Sequence, residues 1–212
     1  MQARTEPAWT NRWIACALPF ALALLVAGCA GSGGKHSPPV EVRDASGFSI
    51  TETTRVSAAA RDDFEAAHRA LEAGDPARAV EILRALTSEA PELTAAQINL
   101  GIALARQGEL ALAETALAKA LEHNPNHPVA RNELGIVYRR TGRFAEARKS
   151  FESALSTHPE FHPARKNLAI LCDLYLADAA CALEQYRLYR AVVPGDEKVG
   201  MWIADLENRI GG

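Results

Sequence analysis

"TAAQINLGIALARQGELALAETALAKALEHNPNH", Thr94–His127, is the stretch that settles the architecture. Its apolar residues return every three or four positions in both halves, the signature of two amphipathic helices. Gly108 divides the halves and Pro125 closes the second. The next stretch, Pro128–Phe161, repeats the design, with Asn99-Leu100-Gly101 answered by Glu133-Leu134-Gly135. Working outward, the marks recur at a spacing of 34: Gly74, Gly108 and Gly142; Ala79, Ala113 and Ala147; Pro91, Pro125 and Pro159.

Each mark has a mechanical reason. The three glycines stand where a helix must end in a left-handed residue. Small residues at Gly101, Gly135, Ala113 and Ala147 let paired helices approach closely. The prolines stop the second helix of each pair. One such pair cannot bury its apolar face alone, so neighbouring pairs stack.

These residues resemble the tetratricopeptide-repeat family. The pattern reads Leu100, Gly101, Gly108, Ala113, Leu117, Ala120, Pro125 in Thr94–His127, and Leu134, Gly135, Tyr138, Gly142, Ala147, Phe151, Ala154, Pro159 in Pro128–Phe161. A weaker copy spans Ala60–Leu93, with Ala66-Ala67 in place of Leu-Gly. A degenerate fourth, His162 to about Gly195, needs one inserted residue around Leu176–Ala180. The resemblance implies an all-α fold: an α-solenoid of helix-turn-helix pairs in a right-handed superhelix. Residues 196–212 read as a capping helix, with Val199, Trp202, Ile203, Leu206 and Ile210 on one apolar stripe.

The N-terminus belongs to a different logic. Ile14–Val26, "IACALPFALALLV", is uncharged, too short to span a bilayer and of the length of a signal-peptide core. Val26-Ala27-Gly28-Cys29 follows and resembles a bacterial lipobox. That resemblance implies cleavage before Cys29, diacylglycerol on its thiol, and residues 1–28 lost from the mature protein. Ala30 rather than Asp after the cysteine implies sorting to the outer membrane, facing the periplasm, if the cell is Gram-negative. Residues 29–59 read as a lipidated start and a glycine- and proline-bearing tether. Within it, Gly47–Val56 alternates as an extended segment that docks on the helices, or is linker only. "GSGGKHS" lacks the glycine and the Ser/Thr of a phosphate loop.

Composition narrows the function classes. The 212 residues carry a net charge of −3, so no basic footprint of a nucleic-acid binder is present. Aromatic residues are 6% and alanine is abundant, which favours close helix packing over a sheet. No catalytic motif stands out, which predicts neither an enzyme nor a cofactor. His123, His127, His158 and His162 flank the inter-repeat turns and read as solvated turn residues rather than metal ligands. Cys172 and Cys181 lie equidistant from the turn at Leu176–Ala177 and are either a disulfide or two small core residues.

In the family the first helix of each pair lines a concave groove for a protein segment. Three rows recur there: His68, Ile102, Ile136, Ile170; Glu65, Asn99, Glu133, Asn167; and Glu72, Arg106, Arg140, Leu174. The expected groove residues are Phe64, His68, Ile98, Asn99, Ile102, Arg106, Asn132, Ile136, Arg139, Arg140, Asn167 and Ile170. The isoleucines would make a floor, the asparagines would pair with peptide backbone, and the arginines would meet carboxylates. The plain alternative is that the isoleucines only pack and the arginines are solvated. Phe64, His68, Val129 and Glu133 stand where the chaperone-tail clamp of this family has lysines and asparagines, so that sub-type is not expected. The layout is similar to lipid-anchored pilotins, pilus-assembly lipoproteins and adaptors of cell-wall hydrolases. That implies a protein partner in the bacterial envelope and membrane attachment through lipid. The alternative is an accessory subunit of an envelope enzyme or transport system, or a polysaccharide binder. Among the expected groove residues only Phe64 offers an aromatic platform, which argues against sugar binding.

Overall fold

The computed structural model describes residues 40–43, 49–52 and 57–211. The expected signal segment, Cys29 and most of the tether lie outside them. Two short strands, β1 (Val40–Arg43) and β2 (Ser49–Glu52), pair antiparallel with Val40 opposite Glu52. Ser49–Glu52, inside the alternating stretch, is therefore a paired strand, and its partner Val40–Arg43 reads as tether in the sequence.

Four helix pairs follow: α1 (Ala58–Glu72) with α2 (Pro76–Glu89), α3 (Thr94–Gln107) with α4 (Leu110–His123), α5 (Pro128–Arg140) with α6 (Phe144–Thr157), and α7 (His162–Leu174) with α8 (Ala179–Val192). The last helix is α9 (Glu197–Gly211). Residues 57–211 are thus an all-α solenoid, and each helix packs on the next.

The repeat marks do their expected work. Gly74, Gly108 and Gly142 hold φ of 75°, 88° and 77°, the left-handed region that a Cβ disfavours. A Cβ on Gly135 would stand 2.5 Å from Phe151 Cε1, and one on Gly101 2.6 Å from Leu117 Cγ. Phe151 and Leu117 are fully buried, so these glycines set the distance between the two helices of a pair.

The first helices also touch one another along the stack: α1 with α3, α3 with α5, α5 with α7. Their side of the solenoid is therefore the tighter wall. The ties between repeats run at an offset of 35 rather than 34. The Arg106 guanidinium donates to Leu71 O at 2.7 Å, that of Arg140 to Ala105 O at 2.5 Å, and Asn167 Nδ2 to Asn132 Oδ1 at 2.8 Å.

The fourth pair departs from the others. Its hairpin, residues 175–178, is one residue longer than that of the third pair, and Ala177 takes the left-handed position at φ 51°. Cys172 and Cys181 flank this turn and are joined as a disulfide, with Cα atoms 6.0 Å apart.

Two expectations change at the C-terminal end. Val199, Ile203 and Leu206 of α9 are buried, and Trp202 is half-buried with its ring 5.4 Å from that of Tyr186. Ile210, expected on the same stripe, is 52% exposed.

Candidate functional site: the first-helix wall

The wall formed by α1, α3, α5 and α7 carries most of the expected groove residues, sorted by depth. Ile102, Ile136 and Ile170 are half-buried, each with part of its side chain exposed. Phe64 is half-buried in the core cluster, and His68 is exposed beside Glu72, 3.4 Å away. Asn99 is half-buried, and its amide makes no hydrogen bond among the described residues.

Several expected residues hold the fold instead. Ile98 and Asn132 are 4% and 3% exposed and are packed inside the stack. Asn132 Nδ2 donates to Glu133 Oε1 at 3.0 Å while its Oδ1 accepts from Asn167, so both asparagines join neighbouring repeats. Arg106 and Arg140 place positive charge on carbonyls in the last turn of the preceding first helix, the negative end of its dipole. Arg139 is half-buried with its guanidinium 5.6 Å over the Tyr175 ring, which in turn lies 5.0 Å from Phe144. The arginines therefore keep only part of their donor capacity for a carboxylate.

Glu133 changes the character of the wall's centre. Burial pushes its carboxyl above the ordinary range; the hydrogen bond from Asn132 and the charge of Arg106 oppose that rise. The wall is thus apolar with both signs of charge near its centre, Arg106 and Glu133, rather than a cationic channel. The sequence signal was the Glu65–Asn99–Glu133–Asn167 row, whose acidic members weigh as much as its asparagines. At the far end Ile170 opens into a depression of about 270 Å³ between α7 and α9, bordered by Trp202, Tyr186 and the Asp173–Arg209 pair.

The histidines also sort differently from expectation. His127 is 3% exposed, not solvated, and its Nδ1 accepts the Ala130 N–H at 3.4 Å as the N-cap of α5. Its imidazole pKa is lowered to about 4, first by burial and then by the charge of His158. Leu93 and Phe161 occupy the equivalent positions and are also buried, so position 127 is a core position of the repeat. Among the described residues, Cys172, Asp178 and Cys181 are the one cluster with metal-ligand spacing. There the two sulfurs are bonded to each other, and Asp178 caps α8 by accepting the Cys181 N–H at 3.0 Å.

Residues 92–160 match the tetratricopeptide-repeat family by sequence profile. That segment carries tetratricopeptide repeats. Solved structures of such solenoids superpose on the chain. MamA (residues 41 to the end) from Desulfovibrio magneticus RS-1 is 21% identical, over 74% of this chain and 88% of that one, with a TM-score of 0.63. TTC0263, a thermophilic tetratricopeptide-repeat protein of Thermus thermophilus, is 25% identical, over 69% and 80%, at 0.62. PilF of Pseudomonas aeruginosa is 23% identical, over 71% and 69%, at 0.65. At these identities the likeness is one of fold. No curated protein matches the chain. The scaffold is therefore a known one, and the ligand must be read from this chain's own wall.

Proposed function

We propose that this protein is a lipid-anchored adaptor of the bacterial envelope, holding a protein segment against the wall of its first helices. Tetratricopeptide solenoids are interaction scaffolds, whose curvature offers an extended concave surface. The observation that carries the reading is the combination on one wall of half-buried Ile102 and Ile136 with the unbonded Asn99 amide. An apolar strip beside an amide that both donates and accepts suits an extended segment with alternating apolar side chains. The Arg106–Glu133 centre suits a segment of mixed charge rather than an acidic tail.

The anchor rests on Val26-Ala27-Gly28-Cys29 after an uncharged run, and Ala30 supports outer-membrane sorting in a Gram-negative cell. No helix among the described residues is long and apolar enough to cross a membrane, and Cys29 is the attachment point in this reading. The absence of a catalytic motif supports a role without turnover. Assembly of pili, secretion complexes or cell-wall enzymes is the setting that the layout favours.

Two measurements test the proposal. Fractionation should place the wild type in membranes and Cys29→Ser in the soluble fraction; a Cys29→Ser protein that stays membrane-bound overturns the anchor. A pull-down from native membranes should recover a partner with wild type, and lose it with Ile102→Glu and with Ile136→Glu while circular dichroism stays helical. A partner retained by both folded variants moves the binding surface off this wall.

A further inference from the structure

We infer that the protein carries a second, separate ligand site, between the second helices α2 and α4 over α3, that takes a small amphipathic carboxylate. A depression of about 360 Å³ opens there, within the range of small-molecule pockets. Its floor is Leu100 and Leu104, and Leu112, 46% exposed, forms one wall. Gln97 lines it from α3 and is 4% exposed, yet its side-chain amide makes no hydrogen bond among the described residues. The amide thus keeps its full hydrogen-bonding capacity for whatever enters the depression. At the rim stand Arg84 and Lys119, exposed, neither with a side-chain partner among the described residues. No carboxylate lines the depression, so its field is positive.

The repeat supplies its own comparison. Gln97, Arg131 and Arg165 hold the same place in successive copies. Around Arg165 a similar depression of about 390 Å³ lies between α6 and α8, but its arginines are already partnered. Arg165 donates to Pro159 O at 2.7 Å and to Gln185 Oε1 at 3.3 Å, and Arg148 there is paired with Glu152 and Asp178. The first depression differs on each count: an amide in place of the arginine, two unpaired cations, and no acid. A carboxylate accepting from Gln97 Nε2–H would lie in the positive field of Arg84 and Lys119. An apolar tail of about eight carbons would cover Leu100, Leu104 and Leu112 within the volume available.

Calorimetric titration of the purified full chain with sodium octanoate tests this, with octylammonium and acetate as controls. Saturable binding of octanoate alone is expected. Gln97→Leu should weaken it at least fivefold with the circular dichroism unchanged. The Arg84→Glu/Lys119→Glu double variant should abolish binding with the circular dichroism unchanged. Ile102→Glu, on the first-helix wall, should leave octanoate affinity intact, which separates this site from the adaptor surface. No octanoate binding, equal binding of octylammonium, or binding that survives the charge reversal would each overturn the proposal.

Discussion

His127 shows how much a single position in a repeat is constrained. It caps α5 from a buried site where Leu93 and Phe161 pack in the neighbouring copies. With its pKa lowered to about 4, the folded protein holds the imidazole neutral, whereas the unfolded chain takes a proton below about 6.5. Protons therefore favour the unfolded state as pH falls from about 6.5 to 4, and stability declines over that window by up to about 3 kcal/mol. Urea denaturation from pH 7.5 to 4 is expected to show this loss, and His127→Leu to flatten it. Equal slopes in the two proteins would mean that another group carries the pH dependence.

At the scale of elements, the α7–α8 hairpin is the departure with consequences. Its longer turn puts Ala177 at φ 51°, where the other first-to-second-helix turns with a left-handed residue use glycine. Ala177→Gly should stabilise the protein by about 1 kcal/mol, the order of a left-handed Cβ clash, read as a higher urea midpoint at constant slope. The Cys172–Cys181 bond closes a loop with a sequence separation of 9 across this turn. By loop-closure entropy it contributes about 2.5 kcal/mol, so reduction should lower the midpoint accordingly. If both changes leave the midpoint unmoved, the hairpin unfolds before the global transition. The neighbouring α9 is held by Asp196, which accepts from Lys166 Nζ at 2.6 Å and from the Tyr189 hydroxyl at 3.0 Å. Those bonds, that from Lys166 foremost, hold its carboxyl below the usual range.

At the scale of the molecule, stability in a stack of repeats is a sum over pairs and the contacts between them. Arg140, Arg106 and the Asn132–Asn167 bond are such contacts, each reaching back 35 residues. Arg140→Ala removes one guanidinium–carbonyl bond between the second and third copies. The expected cost is about 1 kcal/mol, and amide exchange should quicken in the last turn of α3. Exchange unchanged in that turn would make the tie a surface contact without coupling. The two ligand surfaces proposed above use different parts of this stack, the first-helix wall and the cleft between second helices, so each can be tested without disturbing the other.

Much of this was legible in the chain itself. A 34-residue period written in glycine, alanine and proline leaves few folds open, because each residue type marks one mechanical need: a left-handed turn, a close approach, a helix stop. Helix boundaries and the buried face follow from those local needs. The partners of polar side chains do not. Arg106 and Arg140 look like ligand-binding cations in a row, but the stagger of the stack sends them to a carbonyl 35 residues back. Asn132 is buried by its neighbour repeat, His127 lies at a core position, and Ile210 is exposed. Gln97, Arg84 and Lys119 come together only when α2, α3 and α4 pack. The sequence determined the scaffold by itself, since repeat spacing and turn chemistry are local properties. Only the tertiary structure decided which polar groups hold the stack together and which remain free for a ligand, because that depends on the offset at which neighbouring repeats meet.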